Sequence, residues 1–287
     1  MPAPARLELP VAGPYSLRES GAAGRRFLPP GAPAEVGERL HLAFTDDGGS
    51  SAAVAVEQAG ERLAVDYVSE LPPDDVAAAV ARMLSVDVDG SAWPDVGHRD
   101  PVVAELQRRF PGRRPVCFGS PFEAAVWALL SQRTSMAQAS AVKERLAREL
   151  GEAIEIDGRA LHAFPAPERL ADVDALAGVP GVKVERLRGL ARGALAGELD
   201  PAELRAVPAD EALSRLLDLP GIGGFSAMLV LVRGAGHPDV APVGEPRFRR
   251  VVAEAYGIDP DADMDAIAEG WRPFRAWAAW LLRTAAA

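Results

Sequence analysis

The chain has 287 residues, of which 48% are hydrophobic and 25% are charged, as is typical of a soluble globular protein large enough for two domains. Its only cysteine, Cys117, excludes a disulfide framework, an all-cysteine zinc site and a four-cysteine iron–sulfur cluster. The formal net charge is −10, so the chain lacks the excess of basic residues that usually marks a nucleic-acid-binding protein.

The first third of the chain is predicted to consist of strands joined by turns. Strand-forming residues occupy 39–45, 53–58 and 62–68, and glycine-containing turns separate these segments. A helix is predicted over 73–84, where apolar side chains recur at every fourth residue. The polar stretch 87–94, which contains glycine and proline, is predicted to be a linker.

The charge is unevenly distributed along the chain. Residues 1–100 carry 8 basic and 16 acidic side chains, whereas residues 101–287 carry 23 basic and 25 acidic ones. This asymmetry favours a domain boundary near residue 100. The predicted fold class is α+β, with an acidic, strand-rich α/β domain over 1–100 and an all-α domain over 101–287.

The second part of the chain is predicted to be a series of helices separated by short breaks. The clearest start is at Ser120, which can cap a helix while Pro121 occupies the first turn and Glu123 completes a capping box. Further helices are predicted over about 138–150, 167–176, 184–196, 201–206, 209–218, 225–233, 246–256 and 271–284.

The segment 216–227, LLDLPGIGGFSA, is predicted to be two helices joined by a tight turn. Gly221 and Gly223 allow positive φ angles and a close approach of the backbone to another molecule. Ile222 can fill the angle between the two helices. The amides that open the second helix would then form an anion cradle, which suits a nucleic-acid phosphate and needs no basic side chain. The alternative is an ordinary helix–turn–helix corner with a glycine C-cap.

Four segments carry a resemblance to a known family. They are PFEAAVWALLSQRTSMAQA at 121–139, FPAPERLADVDALAGVPGVKVERLRGLA at 164–191, LPGIGGFSAMLVLVRGAGHPDVAPVGE at 219–245 and WRPFRAWAAWLL at 271–282. In this order and spacing the chain resembles the helix-hairpin-helix DNA glycosylase superfamily, most closely the bacterial 3-methyladenine DNA glycosylase II group. The resemblance implies damaged double-stranded DNA as the partner.

The resemblance also implies a role for the backbone of the hairpin. Amides of the turn and of the following helix would bind a phosphate beside the lesion, namely those of Gly221, Gly223, Gly224 and Ser226. No cofactor is required, but a structural Na⁺ or K⁺ at the hairpin is implied. The carbonyl groups that would hold this cation belong to Leu217, Leu219 and Ile222.

The side chains near the extruded base follow from the same resemblance. Phe225 and Gln132 would belong to the base pocket, and Arg133 would be the wedge that fills the gap left by the flipped base. The alternatives are core packing for Phe225 and the end of an exposed helix for the other two. Arg249 would contact a DNA phosphate, or would lie with Arg247 and Arg250 on a solvated helix face.

Lysine chemistry is not expected. The bifunctional branch of the superfamily has a lysine nucleophile in the hairpin, where this chain has Phe225. The only lysines, Lys143 and Lys183, lie elsewhere in the sequence. Trp127, Trp277 and Trp280 occur at helical spacing and are predicted to belong to the core rather than to the base pocket.

The catalytic position departs from the family pattern. The family has an aspartate shortly after the hairpin helix, and the corresponding stretch here ends in Glu245. A carboxylate can stabilise a cationic sugar and orient water, but the extra methylene displaces it by about 1 Å, which can cost on the order of 100-fold in rate. Arg283 occupies a position where the family often has an aromatic residue. Asp239 matches an aspartate with a structural role.

The leading hypothesis is a monofunctional DNA glycosylase of base excision repair that hydrolyses the N-glycosidic bond of alkylated purines of the 3-methyladenine type. One alternative is a catalytically weakened or inactive protein that binds lesions or abasic sites, because of Glu245. Another is a nonspecific DNA-binding module of a larger complex. The N-terminus lacks an apolar secretory segment, so the expectation is a cytoplasmic, nucleoid-associated monomer without a membrane partner.

Overall fold

The computed structural model describes residues 3–24 and 39–286, so residues 25–38 of the predicted N-terminal domain lie outside the described residues. The described part of the first third forms an antiparallel sheet in the order β1-β4-β3-β2. The elements are β1 (Ala5–Pro10), α1 (Leu17–Gly24), β2 (Arg39–Thr45), β3 (Ser51–Ala59), β4 (Arg62–Ser69) and α2 (Pro73–Met83).

Both faces of this sheet are covered. On one face, Leu40, Leu42 and Phe44 of β2 pack in a hydrophobic cluster with α2, because side chains alternate between the two faces of a strand. On the other face, small side chains such as Ala43 and Ala53 leave room for a second layer close to the backbone.

That second layer is a two-stranded hairpin from the helical part of the chain, β5 (Ala153–Ile156) and β6 (Arg159–His162). It buries Ile154, Ile156 and Leu161 against the alanine face of the sheet. The predicted α+β fold is confirmed, and the second part of the chain, expected to be all-α, contains this short hairpin among its helices. The Asp157-Gly158 turn, with φ values of 50° and 69°, is a sequence signal for a hairpin that could have revealed it.

The helices follow in chain order as α3 (Trp93–Arg99), α4 (Pro101–Arg109), α5 (Pro121–Ser131), α6 (Met136–Leu150), α7 (Pro167–Ala171), α8 (Gly181–Leu195), α9 (Pro201–Ala206), α10 (Ala209–Leu217), α11 (Gly224–Leu229), α12 (Pro246–Tyr256), α13 (Met264–Glu269) and α14 (Arg275–Ala285). A π-helical turn, Val230–Gly234, extends α11. Except at its C-terminal end, α5 is buried along its length and forms the centre of the main helical core.

The start of α5 differs in detail from the predicted capping box. Ser120 does accept a hydrogen bond from the Glu123 amide at 3.1 Å. The Glu123 carboxylate, however, accepts from the Gly119 amide at 2.9 Å and pairs with Lys143 Nζ at 2.6 Å. Both charged side chains are buried. The carboxylate is used for a buried ion pair between α5 and α6, because a buried charge needs a partner.

A second helical cluster joins the middle of the chain to its C-terminal region. Trp93 and Val96 of α3 pack with Phe248 of α12 and with Trp271 and Trp277 near and within α14. The stretch 87–94 therefore ends inside a packed helix rather than being a linker throughout. The division into two domains at residue 100 stays a prediction. In the described ranges, no helix is both long enough and apolar enough to cross a bilayer.

Candidate active site

The hairpin predicted from the sequence connects α10 to α11. Gly221 has φ +83°, and an added Cβ there would come within 2.8 Å of Arg186 Cδ and 3.1 Å of Leu129 Cδ1. Glycine is therefore needed at this position both for the backbone conformation and for the close packing. Ile222 is buried in the main helical core and fills the angle between the two helices.

The second glycine of the turn differs from the prediction. Gly223 has φ −109° and ψ 178°, an extended conformation, because it is the N-cap of α11. The bond from the Ala227 amide to the Gly223 carbonyl, at 2.9 Å, leaves the four preceding amides without an acceptor inside the helix. An added Cβ at Gly223 or Gly224 would meet nothing within 4 Å. Within the part of the chain that the structure describes, the hairpin thus presents amides without a backbone acceptor on an open surface, while the side chain of Ser226 is buried.

The carbonyl groups predicted to hold a cation lie along the same turn. Leu219 O accepts a hydrogen bond from the Ile222 amide at 3.1 Å. Within the described ranges, the Leu217 and Ile222 carbonyls accept no backbone hydrogen bond of a turn or cap. Two of the three oxygens are therefore available to a cation. No cluster of three His, Cys, Asp or Glu side chains suited to a metal occurs in the same ranges.

A cavity of about 200 Å³ opens beside the hairpin helix. Phe225 lines it with a side chain that is 52% exposed, unusual for a large apolar residue. The buried rings of Trp127 and Trp280 form part of the same wall, whereas Trp277 is confined to the core. Other apolar side chains complete the lining, namely Met136, Met228, Leu229, Val232, Val240, Pro242, Ala276 and Ala279.

Among the described residues that line the cavity, three have hydroxyl or charged side chains, namely Ser131, Arg233 and Arg283. Arg233 lies in the π-helical turn, donates to the Val116 carbonyl and stacks on Trp280 with its Cζ 4.0 Å from the ring centre. Burial lowers the pKa of Arg233 to about 10, so it remains protonated at neutral pH. Arg233 was not predicted from the sequence as a cavity residue, although an arginine inside the apolar run 230–235 is a signal for a buried charge.

Glu245 lies next to the cavity but does not line it. It is the N-cap of α12, and its Oε2 accepts from the Phe248 amide at 3.2 Å. The same oxygen forms an ion pair with Arg283 Nη2. Arg283 is thus the cavity-facing member of the pair, with 34% of its side chain exposed against 15% for Glu245. The structure brings together the two positions at which the sequence departs from the family pattern.

The loop after α5 carries the predicted wedge. Arg133 is exposed and has φ +52°, a left-handed conformation that is uncommon outside glycine. Gln132 does not line the cavity, because its side-chain amide donates to the Gly221 carbonyl at 2.8 Å. Lys183 Nζ donates to the carbonyls of Leu130 and Gln132 at 3.0 and 2.7 Å. This loop, residues 131–135, is therefore tied to both α8 and the hairpin.

The arginines after Glu245 have different environments. Arg249 donates to the carbonyls of Val243, Pro260 and Ala262 at 2.9 to 3.2 Å, so its guanidinium holds neighbouring loops. Arg247 is exposed and lines a groove that adjoins the cavity at Arg283. These contacts favour an internal structural role for Arg249 and leave Arg247 available to a ligand.

Asp239 has a structural role, as the family resemblance implied. Its carboxylate accepts from Arg272 Nη1 at 2.7 Å and from Arg275 Nε at 2.9 Å. These bonds connect the segment before Glu245 to the start of α14, and they position the two sides of the Glu245–Arg283 pair.

Comparison with known proteins places this arrangement in a family. A family model described as HhH-GPD superfamily base excision DNA repair protein matches residues 126–276, slightly more than half of the chain. The DNA-3-methyladenine glycosylase of Bacillus subtilis is 25% identical over 227 residues, which cover 76% of this chain and 75% of the relative. DNA-3-methyladenine glycosylase 2 of Escherichia coli is 34% identical over 175 residues, 58% of each protein.

A solved structure supports the fold along nearly the whole chain. The 3-methyladenine DNA glycosylase of Archaeoglobus fulgidus aligns with a TM-score of 0.76, at 21% identity, over 96% of both chains. The family match spans the hairpin, Glu245 and much of the cavity wall. The chain belongs to the HhH-GPD superfamily of base excision DNA repair proteins.

Proposed function

We propose that this protein is a monofunctional DNA glycosylase that hydrolyses the N-glycosidic bond of alkylated purines in duplex DNA. The observation that carries the proposal is an aromatic-walled cavity beside a hairpin with unpaired amides and next to a carboxylate. The names of the Bacillus subtilis and Escherichia coli relatives support the same substrate class.

The hairpin and the loop 131–135 would hold the DNA. The amides at the start of α11 bind a phosphate next to the lesion, since the N-terminus of a helix attracts anions. Arg133 fills the space that the extruded nucleotide leaves in the duplex, which offsets part of the few kcal/mol that base flipping costs. The flipped base then enters the cavity and stacks on Phe225.

A monovalent cation fits the hairpin. The carbonyls of Leu217, Leu219 and Ile222 would hold it, and two of the three have no competing backbone bond of a turn or cap within the described ranges. When bound, the cation supplies positive charge next to the phosphate. The amides of the turn supply the directed hydrogen bonds.

Glu245 would act on the sugar. Cleavage of the bond leaves positive charge on the deoxyribose, and a nearby carboxylate stabilises that charge and orients the attacking water. The Phe248 amide and Arg283 hold the carboxylate in one orientation.

Base release without strand cleavage is the expected outcome, because a lyase of this superfamily needs a lysine at the hairpin. Phe225 occupies that position. Lys143 is buried in an ion pair with Glu123, and Lys183 is bound to the loop 131–135. We further propose that the protein acts as a monomer at the nucleoid.

One observation favours a second candidate, a protein that binds lesions without turnover. The ion pair with Arg283 neutralises part of the Glu245 charge and places a cation next to the pocket that would take a methylated base.

The two candidates are separated by incubating duplex DNA treated with dimethyl sulfate with a molar excess of protein. The first predicts free methylated purines by chromatography and strand breaks only after alkali. Tight binding of a duplex with an abasic-site analogue, without release of any base, would instead establish the second. Nicks without alkali would contradict the absence of lyase activity.

A further inference from the structure

We infer that the DNA strand carrying the lesion continues from the cavity into a basic groove, where Arg109 and Arg247 bind its phosphates. The groove also contains the end of α1, so the N-terminal part of the chain contacts the DNA as well. The inference rests on the proposed function and extends the DNA-binding surface beyond the hairpin and the loop 131–135. It is carried by the continuity of the groove with the cavity and by the charge of the groove.

The groove and the cavity share one wall. Met136, Trp280 and Arg283 line both of them. The hairpin helix α11 lines the cavity with Phe225 but contributes no residue to the described lining of the groove. The groove therefore begins at a part of the cavity wall that the hairpin does not form.

Four helices surround the groove, namely the ends of α1, α4 and α14 and the first half of α12. Its volume is about 740 Å³, against about 200 Å³ for the cavity. Small side chains contribute to this space, among them Ala22, Ala23 and Ala285. Binding sites for organic ligands have volumes of this order, so the groove has room for at least one nucleotide.

The charged side chains among the described residues that line the groove are all arginines. Two of them are paired with a carboxylate outside the lining: Arg113 with Glu19 at 2.9 Å, and Arg283 with Glu245. Arg109 and Arg247 are exposed, and neither forms an ion pair within the described ranges. The groove thus presents two cations that no carboxylate of these ranges offsets, which suits an anionic ligand.

The Phe110 ring supports one of these cations. The Cζ atom of Arg109 lies 5.0 Å from the ring centre, and that of Arg113 lies 3.7 Å from it. The bond from Arg113 to Glu19 of α1 fixes this arrangement to the N-terminal part of the chain. Stacking on a ring leaves the N–H groups at the edge of the Arg109 guanidinium free to bind a phosphate.

A DNA strand is the anion that this position favours. A flipped nucleotide stays attached to its two neighbours, so the strand leaves the cavity in two directions. On one side the amides at the start of α11 bind a phosphate. The groove receives the strand on the other side, because it opens from the wall that the hairpin does not form. Each nucleotide brings one phosphate, and Arg109 and Arg247 each bind one of them.

The test maps the phosphates one at a time. Duplexes with an abasic-site analogue carry a single uncharged methylphosphonate at successive positions of the analogue-containing strand, on both sides of the analogue. Fluorescence anisotropy gives the dissociation constants for the wild type, Arg109→Ala, Arg247→Ala and Arg148→Ala. Arg148 is an exposed arginine on α6 that lines neither the cavity nor the groove, so it serves as the control. Melting temperatures show that each variant is folded.

For the wild type we expect sensitive positions on both sides of the lesion, each weakening binding about 10-fold, the usual effect of losing one hydrogen bond to a charged group. Arg109→Ala and Arg247→Ala should each weaken binding of the unmodified duplex to a similar extent. Each should also remove the sensitivity at one position, and both positions should lie on the same side. The sensitivity on the hairpin side should remain, and Arg148→Ala should match the wild type.

Groove variants that bind as tightly as the wild type, or that keep every sensitive position, would overturn this inference. Release of methylated bases by the wild type would in that case leave the proposed function standing. The expected map of phosphates without any base release would instead support the DNA-binding groove and contradict the proposed glycosylase function.

Discussion

Glu245 has a structural role in addition to the chemical role proposed for it. As the N-cap of α12 it satisfies the Phe248 amide, and as the partner of Arg283 it fixes the side chain that faces the cavity. Capping residues typically contribute about 1 kcal/mol, and an ion pair with partial solvent exposure contributes no more than that. Loss of the Glu245 charge should therefore lower the stability of the fold only a little, whereas it should lower the rate of base release strongly.

We predict that Glu245→Gln lowers the rate of base release by about 100-fold or more and changes the melting temperature little. Glutamine keeps an oxygen that can cap α12 but has no charge to stabilise the sugar cation. Single-turnover base release and thermal melting measure the two effects. Glu245→Asp is the matched variant, because it keeps the charge. Undiminished turnover of the glutamine variant would rule out a catalytic role for this carboxylate.

The family resemblance identified Glu245 as the candidate carboxylate, but its pairing with Arg283 was not predicted. Arg283 is 38 residues away on α14, and it meets Glu245 only because Asp239 and the second helical cluster fix α14 beside α12. A pairing of this kind depends on tertiary packing and leaves no local periodicity in the sequence.

The loop 131–135 is held by two elements, α8 and the hairpin. Lys183 of α8 donates to the carbonyl of Leu130, just before the loop, and within the loop to the Gln132 carbonyl and the Thr134 hydroxyl, the last at 3.0 Å. Gln132 connects it to the Gly221 carbonyl of the hairpin. These bonds stabilise the left-handed conformation of Arg133, which costs about 1 kcal/mol for a residue with a Cβ. The predicted wedge and the phosphate-binding turn are therefore fixed relative to one another.

We predict that Lys183→Met slows base release about 10-fold from a lesion opposite a normal base, because Arg133 is no longer held in position. The slowing should be smaller when the lesion lies opposite a gap in the other strand, because Arg133 then has no stacking interactions to replace. Stability should fall by about 1–2 kcal/mol, since the freed carbonyls can reach water.

Single-turnover rates on the two duplexes and urea unfolding measure these effects. Lys183→Arg keeps the charge and the donors, so it should retain most of the activity. Equal slowing on both duplexes would show that Lys183 does not act through the wedge.

Helices and turns were predicted correctly where the signal lies within a few consecutive residues of the sequence. The hairpin was recognisable from PGIGG, and the π-helical turn only extends the helix expected there. The short strands β5 and β6 each have four residues, and their apolar side chains pack on the alanine face of a sheet that is distant in the sequence. Likewise, Trp93 of α3 packs in one cluster with Phe248, Trp271 and Trp277, which lie more than 150 residues later in the chain.

At the scale of the whole molecule, the net charge of −10 must be reconciled with DNA as the proposed partner. The acidic excess belongs to residues 1–100, and the helical part is close to neutral. The hairpin offers backbone amides rather than basic side chains, and Arg249 is bound to internal carbonyls. Few counterions should therefore be released when DNA binds.

We predict a shallow salt dependence for binding to a duplex with an abasic-site analogue, with a slope of log K against log [salt] of about −2. Each phosphate neutralised by a basic side chain contributes about −0.9 to the slope. The exposed Arg247 lines the groove beside the cavity, so Arg247→Ala should make the slope shallower by about one. Arg249→Ala, the control two residues later, should leave the slope unchanged and lower the stability. Fluorescence anisotropy between 50 and 300 mM salt measures the slopes, and one steeper than about −5 would show that side-chain contacts dominate.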